Sequence, residues 1–139
     1  MTIKRIILSF LILVSSFSAF AGAIGTWKSY LSYANIQWVE QGGNRLYVLA
    51  SDALYTYNKA DQSIQTYDKQ NGLSSIDIRF IGWNEVAKRL VIVYEDNNID
   101  LMDAKGNVTN VPDYYLKALT AAKTVYSIDM NGADCDLST

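Results

Sequence analysis

Three runs of β-forming residues, separated by short polar linkers, follow one another between residues 45 and 72. The runs are Arg45–Leu49, Ala53–Tyr57 and Ser63–Tyr67, with Ser51-Asp52 and Asn58–Gln62 between them. Polar linkers of this length are typical of tight hairpins, so the segment predicts an antiparallel meander. One meander cannot bury both of its faces, and it therefore predicts neighbours of its own kind.

The same order of strands and turns occurs twice along the chain. The strand before the first run alternates cleanly between polar and apolar residues and ends in Gly42-Gly43-Asn44, a turn signal. The predicted strands are Ile36–Gln41, Arg45–Ala50, Ala53–Asn58 and Ser63–Asp68 in the first cycle, and Ile76–Trp83, Arg89–Tyr94, Asn98–Asp103 and Val108–Val111 in the second. The step from Arg45 to Arg89 is 44 residues, within the roughly 40–50 that mark propeller blades.

A third cycle begins with a strand at Lys123–Asp129, turns at Asn131–Asp134 and continues through Cys135–Thr139. Between the second and third cycles, Asp113–Ala122 predicts a helix of about two turns. The predicted fold class is all-β. It is a partial β-propeller of about two four-stranded antiparallel blades, near residues 34–70 and 76–112, with an incomplete third blade at 123–139. Pro112 lies outside every predicted strand, as a sheet requires.

Residues 1–23 are predicted to be a signal peptide. Lys4 and Arg5 form a positive start, and the apolar run Ile6–Val14 is too short to span a membrane. Ala19-Phe20-Ala21 places small residues where a signal peptidase reads, and Ala21-Gly22-Ala23 is an alternative two residues on. An uncleaved membrane anchor is the competing interpretation. We expect export to the periplasm or the outer-membrane surface, with no membrane span in residues 24–139.

The charge of the expected mature chain excludes some partners. Removal of the signal peptide takes away two of the 12 basic residues and none of the 14 acidic ones, which leaves 10 against 14 and a net charge of −4. Without a basic patch, binding to nucleic acid is not expected. A single cysteine, Cys135, excludes an internal disulfide framework.

The sequence contains no histidine, which excludes serine–histidine triads, cysteine–histidine pairs and histidine-ligated metal sites. Cys135 is therefore interpreted as a buried small hydrophobic residue. The acidic segment Asp129–Asp136 has oxygens at alternate positions, as a calcium loop does, but it lacks the spacing and final glutamate of an EF-hand, so a polar hairpin is favoured. No catalytic, cofactor-binding or metal-binding residue is predicted.

The three tryptophans, Trp27, Trp38 and Trp83, together with the many tyrosines, suit either a stacking surface for sugars or repeated core packing. Trp38 and Trp83 occur near the ends of the strands that open the two cycles. This recurrence favours a core position for both side chains.

Two stretches resemble known families. Asp52–Tyr57, followed by Asn71-Gly72-Leu73-Ser74-Ser75 and a strand, resembles the repeat of two-component-regulator propellers. The opening Ile24–Tyr33, directly after a signal peptide, is similar to the start of PorZ-like proteins of the type IX secretion system. The resemblance covers essentially the whole mature chain.

The resemblance implies a β-propeller at the outer surface or in the periplasm. In PorZ-like proteins, propellers and a β-sandwich belong to the machinery that attaches secreted cargo to anionic lipopolysaccharide. Closed propellers need about 4–8 blades, so we expect this chain to be an N-terminal piece of a larger protein.

Three functions follow as hypotheses. The first is an exported, non-enzymatic propeller scaffold in type IX secretion and cell-surface attachment of cargo, whose partners are other secretion or attachment proteins or a surface glycan. The second is the periplasmic, glycan-sensing propeller of a hybrid two-component regulator. The third is a propeller enzyme, which would need paired carboxylates or a base at the central channel.

The predicted signal peptide can be tested on the exported chain. We expect cleavage after Ala21 or Ala23, so that N-terminal sequencing reads a first residue of Gly22 or Ile24. Replacement of Ala19 and Ala21 with leucine should leave a longer, unprocessed chain. Export of a chain that still begins at Met1 would instead support the uncleaved anchor.

Overall fold

A computed structural model of the chain describes residues 34–51, 53–117 and 124–138. The predicted signal peptide and Trp27 lie outside these ranges. The strands are β1 (Ile36–Gly42), β2 (Arg45–Ala50), β3 (Ala53–Asn58), β4 (Ile64–Tyr67), β5 (Ile78–Asn84), β6 (Arg89–Tyr94), β7 (Ile99–Asp103), β8 (Val108–Asn110), β9 (Ser127–Asn131) and β10 (Asp134–Ser138), and one helical turn, α1, spans Asp113–Leu116. Within the described residues, no helix is long and apolar enough to cross a membrane.

The strands form three antiparallel sheets in which each strand pairs with the next one along the chain. The first sheet has the order β1-β2-β3-β4, the second has the order β5-β6-β7-β8, and β9 pairs with β10. Sequential four-stranded sheets of this kind are propeller blades. The predicted all-β, partial β-propeller fold is confirmed.

The first two sheets are copies of each other down to an irregularity in the first strand. The pairing of β1 with β2 shifts between Ile36 and Trp38, and the pairing of β5 with β6 shifts between Ile78 and Phe80. From this bulge, both strands run to their hairpin, where Gly42 pairs with Arg45 in β2 and the equivalent residue of β5 pairs with the start of β6. Bulges are specific features of a strand, so a shared one makes the two sheets equivalent blades.

The first hydrophobic core fills the space between the first and second sheets. Its centre is the ring of Tyr47, which stacks on the ring of Trp83 with centroids 5.2 Å apart and planes inclined by 17°. The other fully or nearly fully buried members come from both sheets and the linker between them: Leu49, Leu54, Tyr67, Leu73, Ile78, Ile81, Leu90, Ile92, Tyr94 and Met102. This packing buries one face of each sheet.

The second core lies between the second sheet and the β9–β10 hairpin. Val91, Val93 and Ile99 of the second sheet pack there with Val125, and half-buried residues of the hairpin, including Cys135, complete the core. The side chains of β6 therefore alternate between two cores, which is why Leu90–Tyr94 is an unbroken apolar run. The second sheet is the middle layer of the described structure.

Two glycines let the first strands of neighbouring sheets approach each other closely. A Cβ atom on Gly42 of β1 would lie 2.5 Å from the ring of Trp83 in β5. One on Gly82 of β5 would lie 2.6 Å from the terminal methyl group of Met130 in β9. Both distances are far below van der Waals contact, so a side chain at Gly42 would require the indole ring to shift, and one at Gly82 would require the flexible end of Met130 to shift.

The structure corrects the predicted bounds of two strands by two residues or more, and those of several others by one residue. β5 begins at Ile78 rather than Ile76, because Asp77 has a φ of +57°, which a strand does not accommodate. In the third cycle the first strand is β9, Ser127–Asn131, and not Lys123–Asp129. Gly132, with a φ of +62°, allows a hairpin of only two residues there.

The prediction of a helix at Asp113–Ala122 is wrong in its length. The structure describes this segment as far as Lys117, and the helix has already ended there. Only Asp113–Leu116 is helical, and Lys117 is already extended, with a ψ of 119°. Tyr114 and Tyr115 occupy half of this turn, and aromatic residues are weak helix formers. So short a segment has little helical stability of its own.

Gly42 and Gly82 provide a matched test of how the sheets pack. We expect Gly42→Ala to destabilise the chain by about 1–3 kcal/mol, because the new methyl group meets a buried, stacked indole ring. Gly82→Ala should cost clearly less, since the flexible end of Met130 can move away. Urea unfolding of both variants measures the difference.

In the same experiment, Trp83→Leu should make Gly42→Ala less costly, because the clashing ring is gone. Equal costs for the two alanine variants would contradict this account of the packing.

Candidate binding groove

The first strands of the three sheets, β1, β5 and β9, lie side by side and form the wall of a groove. The groove has a volume of about 460 Å³, within the range of small-ligand sites. Its lining comes from all three strands and the residue before β9: Trp38, Glu40, Phe80, Ile81, Gly82, Trp83, Tyr126, Ser127, Ile128, Asp129 and Met130. In a propeller the inner strands of the blades face the central channel.

The groove combines exposed aromatic rings with two carboxylates. Trp38 is 48% exposed and Tyr126 is 67% exposed, and half-buried Phe80 lies at the position in β5 that Trp38 has in β1. The indole Nε1–H of Trp38 donates to Oε1 of Glu40 at 2.8 Å. This bond holds the first carboxylate beside the ring, and Asp129 supplies the second from β9.

The predicted core position of Trp38 is wrong, whereas that of Trp83 is confirmed. Trp83 is 9% exposed and packs in the first core, and its Nε1–H donates to Glu85 at 2.6 Å. The register explains the difference, because Trp83 is equivalent to Gln41 of β1 and not to Trp38. The two tryptophans therefore lie on opposite faces of two equivalent strands.

The acidic segment Asp129–Asp136 forms the β9–β10 hairpin. Asp129 lies directly opposite Asp136, and Asn131 lies opposite Asp134. Across the described ranges, no group of three or more histidine, cysteine, aspartate or glutamate side chains is placed to hold a metal ion. The hairpin does not have the geometry of a calcium loop.

Cys135 is half-buried and contributes to the second core. Burial raises the pKa of its thiol, and the carboxylates of Asp136 and Asp129 raise it further. A thiol with a raised pKa is a poor nucleophile at neutral pH. Its surroundings are those of a packing residue.

A family model described as the N-terminal β-propeller domain of PorZ, from the type IX secretion system, matches residues 46–139. This match covers more than half of the chain. The chain belongs to the PorZ N-terminal β-propeller family.

Two solved structures resemble this chain. A structure of PorZ, an essential bacterial surface component of the type IX secretion system of Porphyromonas gingivalis, is 28% identical with a TM-score of 0.74, over 82% of this chain and 15% of that one. The extracellular domain of a putative one component system from B. thetaiotaomicron is 13% identical with a TM-score of 0.52, over 73% of this chain and 13% of that one. At that identity the second likeness shows the fold alone. No curated protein matches the chain.

The chain also contains a buried polar network that was not predicted. Asp100 is fully buried in β7. Its Oδ2 accepts hydrogen bonds from the hydroxyl of Tyr94 at 2.6 Å and from the backbone N–H of Ser74 at 2.8 Å, and its Oδ1 accepts one from Asn110 at 2.8 Å. Several donors satisfy this carboxylate, so it is a structural group and not a free base.

Residues of the linker between the first two sheets contact both blades, and one of them joins the network. The side chain of Asn71 accepts from the N–H of Asp68 at 2.6 Å and donates to the carbonyl of Thr66 at 3.0 Å. Leu73 is buried in the first core, and the N–H of Ser74 reaches Asp100. The linker is thereby fastened to both blades.

Tyr94 gives the network a testable dependence on pH. Burial raises the pKa of its hydroxyl well above 10, and the hydrogen bond to Asp100 raises it further. In the unfolded chain this tyrosine ionises near pH 10. Stability from this group is therefore complete below about pH 10 and is lost as the pH rises from there toward the folded-state pKa.

We expect Tyr94→Phe to cost about 1–2 kcal/mol at pH 8, because a buried hydrogen bond to the carboxyl group of Asp100 is lost. It should also make the decline above pH 10 shallower. Urea unfolding at pH 8 and pH 10.5 measures both effects. Tyr126→Phe, which removes a hydroxyl from an exposed ring, is the control. An unchanged pH dependence in Tyr94→Phe would show that other groups cause the decline.

Proposed function

We propose that this chain is exported and acts as a non-enzymatic β-propeller scaffold of a type IX secretion component, in the cell-surface attachment of cargo to anionic lipopolysaccharide. The match of residues 46–139 to the PorZ propeller family is the observation that carries the proposal. The PorZ structure, a surface component, supports it with a TM-score of 0.74. The chain spans about a seventh of that protein's length, so the role of the whole protein is part of the proposal.

The chemistry of the groove supports a binding role over catalysis. The chain has no histidine. The side chain of Glu40 is engaged by Trp38, and the buried carboxylate of Asp100 is held by three donors. What the groove offers a ligand is aromatic surface and negative charge.

The glycan-sensing alternative has less support. The one likeness to a signalling protein is at 13% identity and concerns the fold. The family match points to secretion instead.

The test is deletion of the gene in the bacterium that encodes this chain. We expect cargo of the type IX system to leave the cell surface and to accumulate in the growth medium. Immunoblots of washed cells and of cell-free medium measure the ratio of attached to released cargo. Reintroduction of the gene should restore the parental ratio. Fractionation of the same cells reports whether the chain itself is exported.

Normal attachment of cargo after the deletion would contradict the scaffold proposal. If the deletion also abolished a transcriptional response to an added polysaccharide, the sensor alternative would replace it.

A further inference from the structure

We propose that the groove along β1, β5 and β9 binds a cationic segment of a partner protein, through arginine or lysine side chains, and does not bind the anionic glycan. This inference rests on the proposed function and names the partner chemistry of one surface. Two independent properties of the groove lead to it. One is its negative charge, and the other is the presence of exposed aromatic rings whose faces are accessible to a ligand.

The groove is negatively charged without internal compensation. Glu40 and Asp129 line it, and none of the other lining residues is a lysine or an arginine. On the second sheet, Arg79 pairs with Glu95 and Lys88 pairs with Glu85, and neither cation lines the groove. An incoming cation would find two carboxylates, whereas an incoming anion would be repelled by both.

The aromatic rings are arranged to receive a cation. The Nε1–H of Trp38 is already occupied by Glu40, so the faces of its ring are what remains for a ligand. A guanidinium or ammonium group over an indole face gains a cation–π interaction, and tryptophan is the best partner for it. Tyr126, at the far side of the groove, offers a second exposed ring.

The same features argue against the anionic saccharide as occupant. Carboxylate or phosphate groups on a glycan need arginine, lysine or backbone N–H donors. The described lining has no cationic side chain. A neutral sugar could stack on Trp38, but it would gain nothing from two charges.

Binding of a model peptide to the full chain tests the inference. The probe is acetylated, amidated tetra-arginine, measured by isothermal titration calorimetry at 20 mM and 200 mM NaCl, with tetra-glutamate, maltoheptaose and polygalacturonate as comparison ligands. We expect tetra-arginine to bind, to bind more weakly at the higher salt concentration, and to be preferred over the other three.

Three variants should weaken binding of tetra-arginine: Glu40→Gln and Asp129→Asn by about threefold to fivefold each, and Trp38→Leu by about threefold. Asp61→Asn is the matched control, because it removes one exposed carboxylate on the β3–β4 turn, away from the groove. It should leave the affinity unchanged. Circular dichroism spectra that match the parent chain show that each variant is folded.

Several results would overturn the inference. One is that Asp61→Asn weakens binding of tetra-arginine as much as Glu40→Gln or Asp129→Asn does, since the peptide would then be attracted by net charge alone. Others are no binding of tetra-arginine, or binding of maltoheptaose or polygalacturonate that Trp38→Leu abolishes. The cargo assay tests the scaffold proposal separately. If the chain does not bind tetra-arginine but deletion of the gene still releases cargo from the cell surface, only this inference is rejected.

Discussion

Trp83 connects the first two blades, and the rest of the described structure depends on its position. One face of the indole stacks on Tyr47 of β2, and the ring lies where a Cβ of Gly42 would be. Stacked aromatic pairs add about 0.5–1.5 kcal/mol beyond the area that they bury. The absence of a side chain at Gly42 allows β5 to lie against β1, and the first core then closes around the ring pair.

The same arrangement, with different residues, joins the second blade to the third. Met130 takes the place of the indole over Gly82, and two polar contacts fix the junction: the guanidinium of Arg79 donates to the carbonyl of Val125 at 3.1 Å, and the amide of Asn84 donates to the carbonyl of Asp134 at 3.1 Å. Close contact between inner strands is thus repeated along the array. The groove is a consequence of this contact, because the inner strands bring residues from three blades onto one surface.

The sequence predicts the repeat of strands and turns, but it does not predict on which face of a strand each side chain lies. Runs such as Arg89–Tyr94 and turns such as Gly42-Gly43-Asn44 are local signals, so the strands and their order were predictable. The side on which Trp38 lies depends on a bulge, which has no local signature, and on the length of the hairpin turn, which is two residues shorter in the first blade. The Asp100 network and the groove escaped prediction for a related reason, since their members are brought together only by the packing of the blades.

The groove and the proposed attachment to an anionic glycan place opposite demands on the molecule. A surface that carries Glu40 and Asp129 beside Trp38 favours cations over anions. A scaffold that joins cargo to lipopolysaccharide must contact two chemistries. Under the proposed scaffold role, the negative groove on the inner strands suits a cationic protein partner, and recognition of the anionic glycan would fall to parts of the assembly with the opposite charge.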